Sequence, residues 1–271
     1  HDPGQPISYA IGLGVNIDDV VVENMQLQYQ GYVEERIGRE AGTGTVVEGA
    51  AVITVASGDG MRKLFTHDLQ AAHVVSGGQT MNPSAEDFLA AIDKIPNDEI
   101  ILLPNNKNII MAARQAASLA RDKHVRVVPS RSLQQGIAAM FAYVNARETQ
   151  STLDEITQQM TEALSSVISC DVTNATRSVE FEGVNVEEGQ FIGLLDGNLV
   201  VTGNELFDVV CELLKKAKAD DKELVTLYFG SGQDESQAHA LVDYLVSDFG
   251  SLEFEIVAGG QPLYPYIISI E

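Results

Sequence analysis

Apolar residues fall along this chain in two rhythms. From Glu48 to Asn145, short apolar runs without polar alternation (AAVITVAS, AHVVS, EIILLP and VRVVP) each precede a stretch with helical spacing. Those stretches are GMRKLF, AEDFLAAID, NIIMAARQAASLA and LQQGIAAMFAYV. Such runs are what parallel strands look like when both faces are covered. Four β-α units in succession predict a doubly wound, mostly parallel α/β sheet.

The second half reads differently. A helix is predicted over Thr152 to Val167, followed by CDVTNATRSVEF and GQFIGLLDGNLVV, where Asp196-Gly197 has the residues of a two-residue hairpin turn. Helices are predicted from Glu205 to Lys218 and from Glu235 to Ser247, with a strand at LVTLYFG between them. FEIVAGGQPLYPYIISIE closes with two strands. This is a second α/β lobe with antiparallel strands. The expected division is 1–46 as the end of an upstream domain plus a connector (strand VNIDDVVVEN, helix Met25 to Arg39), 47–148 as the first lobe and 149–271 as the second. The abrupt opening, HDPGQPIS, reads as a cut from something longer.

Charge narrows the partners. Seventeen basic against 39 acidic residues leave a net charge of −22, spread in acidic pairs such as Asp18-Asp19 and Asp220-Asp221. That field repels phosphate backbones and anionic lipid, so nucleic acid and membrane surfaces are poor partners. No apolar run approaches the roughly 18 residues needed to cross a bilayer, and no signal peptide is legible. Cys170 and Cys211 lie in apolar contexts and read as free buried thiols of a reducing compartment, pointing to a cytoplasmic location. The histidines lack metal-ligand spacing, so no metal site is expected within the chain.

One phrase occurs twice. Gly77-Gly78-Gln79-Thr80-Met81-Asn82-Pro83 and Gly259-Gly260-Gln261-Pro262-Leu263-Tyr264-Pro265 share the pattern GGQ-x-x-x-P, each after a strand-like run. Two readings stand: a pair of tight turns that happen to agree, or two loops at one shared site. In a doubly wound sheet, ligands sit outside the carboxyl ends of the strands. Here those ends are Ser57-Gly58-Asp59-Gly60, Gly77 to Ser84, Pro104-Asn105-Asn106 and Pro129-Ser130-Arg131-Ser132. Helix capping accounts for part of this inventory: Ser132 with Gln135, Asn106, and Asn82 ahead of Pro83. It accounts less easily for Gln79, Thr80, Asn105 and Arg131. Together Gln79, Thr80, Asn82, Ser84, Asn105, Asn106, Ser130, Arg131 and Gln261 form the candidate ligand- or partner-binding set. A catalytic set is missing: no histidine lies in these loops, and Asp59 is their only acid. Phosphate-loop, dinucleotide and nucleophile-elbow motifs are absent as well.

GGQTMNPS, ILLPNNKNI, VVPSRSLQQGIAAM, GQFIGLLDG and GGQPLYPYIISIE together closely resemble the C-terminal region of the large subunit of bacterial fatty acid kinase, a family often labelled dihydroxyacetone-kinase-like. The similarity runs from about Val21 to Glu271. The resemblance implies a protein with an N-terminal ATP-binding domain, a middle domain and a C-terminal region like the DegV lipid-binding proteins. Such a protein phosphorylates the carboxylate of a fatty acid presented by a separate DegV-like carrier. The family's Mg²⁺-binding P-D-G-D-T-G motif does not occur here, so ATP and Mg²⁺ are expected on a part absent from this chain and no catalytic residue is carried onto it. By the same resemblance, Thr80 and Ser84 fall where DegV-like carriers have their fatty-acid-carboxylate loop, although GGQTMNPS is spelled differently.

Three functions follow in order. First is a non-catalytic region that docks a DegV-like fatty-acid-binding protein, or a second copy as a homodimer. Second is a sensor of an anion or acyl group at the strand-end crevice. Third, and disfavoured by the missing base and nucleophile, is an enzyme in its own right.

Overall fold

The structure is a computed structural model, and it describes residues 49–271 apart from 79, 80, 150, 182 and 183. The expected strand and helix before residue 46 lie outside the described residues, as do Gln79 and Thr80.

The first sheet has four parallel strands in the order β2-β1-β3-β4: β1 Ala51–Ala56, β2 His73–Ser76, β3 Glu99–Leu103 and β4 His124–Val127. Every residue of β1 is buried, because helices cover both faces. On one face Ile53, Val55, Ile100 and Leu102 pack against α2 (Ala85–Lys94) and α3 (Ile110–Leu119) through Phe88, Ile92 and Ala113. On the other face Val52, Ala56, Ile101 and Leu103 join Met61 and Phe65 from α1 (Asp59–Lys63, continued by a π-helical turn over Leu64–Asp68). The same cluster takes in Ile137, Met140 and Tyr143 of α4 (Leu133–Glu148) and Ile156 and Met160 of α5 (Leu153–Ala163). This is the doubly wound parallel sheet that unalternated apolar runs predict.

The second sheet is mixed, with six strands in the order β11-β10-β12-β5-β8-β9. They are β5 Ile168–Asn174, β8 Phe191–Leu195, β9 Asn198–Gly203, β10 Leu224–Phe229, β11 Glu253–Ala258 and β12 Tyr266–Ile270. A separate small hairpin pairs β6 Val179–Phe181 with β7 Val184–Val186. Asp196 and Gly197 both have positive φ, 48° and 81°, the backbone a tight hairpin demands, and they join β8 to β9 as expected. Helices α6 (Leu206–Lys216) and α7 (Glu235–Leu245) cover one face through Val210, Leu213, Leu214 and Leu241. Cys170 and Cys211 are free and buried there, as their apolar contexts predict. On the other face, Tyr228 and Ile267 join the cluster built on α4 and the first sheet. The two sheets therefore share one core, and no helix among the described residues is long and apolar enough to cross a membrane.

The two copies of the repeated phrase follow similar units of topology. β1, α1 and β2 form a parallel β-α-β unit ending at the edge of the first sheet, and Gly77-Gly78 follows it. β10, α7 and β11 form another at the edge of the second sheet, and Gly259-Gly260 follows that one.

Candidate functional site

Asn105 sits just past the carboxyl end of β3, with φ +57°, a left-handed conformation that asparagine tolerates better than most residues. It is buried, and its carboxamide is spoken for. Nδ2 donates to Thr54 Oγ1 (2.8 Å) and to the Val55 carbonyl (2.9 Å). Ser130 Oγ donates to Asn105 Oδ1 (2.8 Å) and accepts from the Asn105 amide (2.8 Å). The carboxamide also lies against Gly136 of α4, where any Cβ would overlap it. Asn105 and fully buried Ser130 thus hold β1, β3, the β4 loop and α4 together and do not line an open cleft.

The other strand-end residues divide between caps and surface. Ser84 caps α2 in a reciprocal capping box: its Oγ accepts from the Asp87 amide (3.2 Å), and its own amide donates to Asp87 Oδ2 (2.8 Å). The cap is Ser84 and not Asn82, because an acid three residues after Ser84 completes the box. Pro83 instead packs against Gly77, and Asn82 is exposed. Asn106 is likewise not the cap of α3, a position held by Ile109. Its Oδ1 accepts from the Asn108 amide (2.9 Å) in a local turn that starts the chain toward the helix. Ser132 does cap α4, but Gln135 Oε1 accepts from the Arg131 amide (2.8 Å), one residue earlier than the spacing predicts. Arg131 is exposed, and its guanidinium has no partner among the described residues.

The two glycine-rich loops meet the same neighbour. A Cβ on Gly78 would lie 3.1 Å from Ser57 Oγ. On the other side of that β1–α1 loop, a Cβ on Gly58 would lie 2.6 Å from the Gln261 nitrogen, and one on Gly60 would overlap the Ala258 carbonyl. The Met61 amide donates to the Gly259 carbonyl (2.8 Å), closing the two sheets' loops on each other backbone to backbone. Gln261 faces inward: Nε2 donates to the Tyr228 carbonyl (2.7 Å) and to the Tyr264 carbonyl (3.3 Å). Its Oε1 is buried without a partner.

A second polar junction is one that sequence patterns alone do not reveal. Gln134, in the first turn of α4, is buried, and its Nε2 approaches the Cys170 carbonyl (3.0 Å), Asp171 Oδ1 (3.0 Å) and the Ile268 carbonyl (3.2 Å). Ser132 and Ser169 share a hydroxyl hydrogen bond of 2.7 Å beside it. Burial pushes the half-buried Asp171 carboxyl up to about 6; the Gln134 amide draws it down and Asp196 adds to the rise. Burial and then Asp171 push the Tyr264 phenol up to about 12. The one signal in the sequence is an acid at the centre of an apolar strand, SCDVT, whose side chain must face a polar partner.

Chemically, this inventory binds and braces. Among the described residues no three His, Cys, Asp or Glu side chains gather as a metal site requires. The strand-end loops spell no lysine-bearing phosphate loop in the sequence.

Comparison with known proteins adds the family. Residues 51–271 match the family model for the C-terminal part of FakA-like fatty acid kinase proteins. An uncharacterized protein of Staphylococcus aureus (strain MRSA252) is 34% identical over 269 residues, 99% of this chain and 48% of that protein. The chain thus spans about half the length of the curated relatives it matches. Among solved structures, a DegV family protein from Corynebacterium glutamicum aligns with TM-score 0.62 at 16% identity, over 83% of this chain and 98% of the other. The Streptococcus pneumoniae fatty acid kinase B3 protein, loaded with linoleic acid, gives 0.57 at 12%, over 83% and 99%. The dihydroxyacetone kinase from C. freundii, in complex with AMP-PNP and Mg²⁺, gives 0.62 at 13%, over 94% and 57%. At such identities the likeness is one of fold.

Proposed function

The chain belongs to the FakA-like C-terminal family of fatty acid kinase proteins, and we propose that it is a non-catalytic docking region of a longer kinase. In this reading it receives a DegV-like fatty-acid carrier, so that an ATP- and Mg²⁺-binding part elsewhere in the protein can phosphorylate the acyl carboxylate, in the cytoplasm. The observation that carries the proposal is how the strand-end inventory is used. Asn105, Ser130 and Ser84 spend their donors and acceptors on protein partners. Gln261 turns its amide inward. Among the described rim residues, these four have little hydrogen-bonding capacity left to orient a small substrate. What remains exposed suits a protein partner.

The second reading, an acyl or anion sensor, draws support from the fold shared with a protein that was crystallised with linoleic acid and from the exposed Arg131 guanidinium. Thermal-shift measurements separate the two. Docking predicts stabilisation by a purified DegV-like carrier, with no shift from long-chain fatty acid, inorganic phosphate or ATP–Mg²⁺ alone. Stabilisation by free fatty acid without carrier would favour the sensor.

A further inference from the structure

We infer that the outer face of α2 and α3 is a contact between two copies of this chain, related by a two-fold axis that lays α2 of each copy over α3 of the other. The contact is separate from the docking reading above. α2 and α3 lie side by side on one face of the first sheet and follow parallel strands, so they run the same way. Their inner sides are used: Phe88, Ala91 and Ile92 of α2 and Ala113 and Ala116 of α3 pack on the strands. Their outer sides are exposed stripes at helical spacing. On α2 the stripe is Glu86, Asp87, Ala90, Asp93 and Lys94; on α3 it is Met111, Arg114, Gln115, Ser118 and Leu119.

The two stripes differ in sign. α2 carries three acids against Lys94, and Asp98, exposed in the loop that follows, adds a fourth. Asp87 is held in its capping box, while Glu86 and Asp93 have no partner among the described residues. α3 has no acid. Arg114 stands on its stripe, Lys107 precedes it and Arg121 follows, all exposed and unpaired among the described residues. Asp122 is the one acid between Ile100 and Arg147, a stretch with seven Lys and Arg. Two of those seven are spent nearby. Lys123 Nζ donates to the Ile92 carbonyl (3.0 Å) and the Ile95 carbonyl at the end of α2, and Arg126 pairs with Asp154 (2.9 Å). The basic stripe also bears two of the few large apolar side chains that stand exposed, Met111 at 69% and Leu119 at 49%. They lie eight residues and so ~12 Å apart along the helix, one at each end of it.

Local charge selects the occupant. An acidic stripe beside a basic one is self-complementary: a two-fold axis parallel to the helices, over the groove between them, sets acid against base twice. Stacking α2 on α2 and α3 on α3 would set like charges together, which disfavours that arrangement. Two ten-residue helices offer a face of roughly 15 by 20 Å, small for a protein contact, so the dimer is weak, with Kd on the order of 10–100 µM. The test is sedimentation equilibrium across concentrations reaching well above that Kd. The parent should dimerise reversibly, less so as salt rises. One variant carries Arg114→Glu with Arg121→Glu; the other carries Glu86→Lys with Asp93→Lys. All four positions are exposed, so both should fold as the parent does. Each variant alone sets like charges together and should self-associate at least ~10-fold more weakly. In a mixture, two acidic helices of one variant meet two basic helices of the other, and association should return to within about 3-fold of the parent's. A parent that stays monomeric throughout overturns the inference, as does a mixture that fails to recover. Unchanged self-association in both variants, with weaker binding of a DegV-like carrier, would make this face the carrier's and also overturn it.

Discussion

Ser130 and Asn105 bond each other twice: the serine hydroxyl accepts from the asparagine amide and donates to its carboxamide oxygen, both at 2.8 Å. The pair joins loops 25 residues apart while Asn105 Nδ2 reaches Thr54 and the Val55 carbonyl on β1. Asn105→Ala strands buried partners on two segments, β1 and the loop after β4, and should cost about 1–3 kcal/mol. Ser130→Ala should cost about 1–2 kcal/mol by the same route. Urea denaturation of each variant measures the loss. A parent-like midpoint for Asn105→Ala would show that the carboxamide faces water.

The crossing of the two sheets' loops makes a steric prediction. Gly60 lies against the Ala258 carbonyl with no room for a Cβ, whereas nothing lies within 4 Å of a Cβ on Gly232. Gly60→Ala should destabilise by about 1–3 kcal/mol or more, since backbone cannot yield as a flexible side chain can. Gly232→Ala should stay within about 0.5 kcal/mol of the parent. Equal melting temperatures for the two variants would contradict the close approach.

Asp171 predicts a pH signature. Its carboxyl rises from the usual 3.8 to about 6 on folding, so the neutral acid is the form the folded chain favours. That contribution to stability is complete below about pH 3.8 and is lost as pH climbs through 6. Asp171→Asn keeps an acceptor for Gln134 and removes the charge. It should raise stability at pH 7 by up to about 2 kcal/mol, allowing for water at a half-buried group, and change little at about pH 4. Thermal unfolding of variant and parent across this range checks it. A variant less stable than the parent at neutral pH would show that Gln134 needs the carboxylate.

Much of this fold is written locally. Strands β1 to β3 are largely apolar because both faces of the sheet are covered, and Asp196-Gly197 carries its turn in two residues. The caps are less legible. Asn82 and Asn106 have the residue type for a cap, but Asp87 completes a box with Ser84, and Asn106 turns its side chain back on Asn108. Such contests between neighbouring polar residues are settled by a few hydrogen bonds and leave little trace in composition. Long-range roles are hidden altogether. Asn105 is buried because Gly136 makes space for it, and Gln134 is fixed by carbonyls of β5 and β12, the latter 134 residues away. The repeated phrase is visible as a repetition. Its setting, after two β-α-β units that each end at a sheet edge, requires the strand order.

The most direct measurement is calorimetric titration of this chain with a DegV-like carrier holding a long-chain fatty acid, without nucleotide. Docking predicts saturable one-to-one binding with Kd on the order of micromolar, as for a transient partner, weakening as salt screens the acidic surface. Absence of heat and of complex at concentrations well above that range, with both proteins folded, would contradict it.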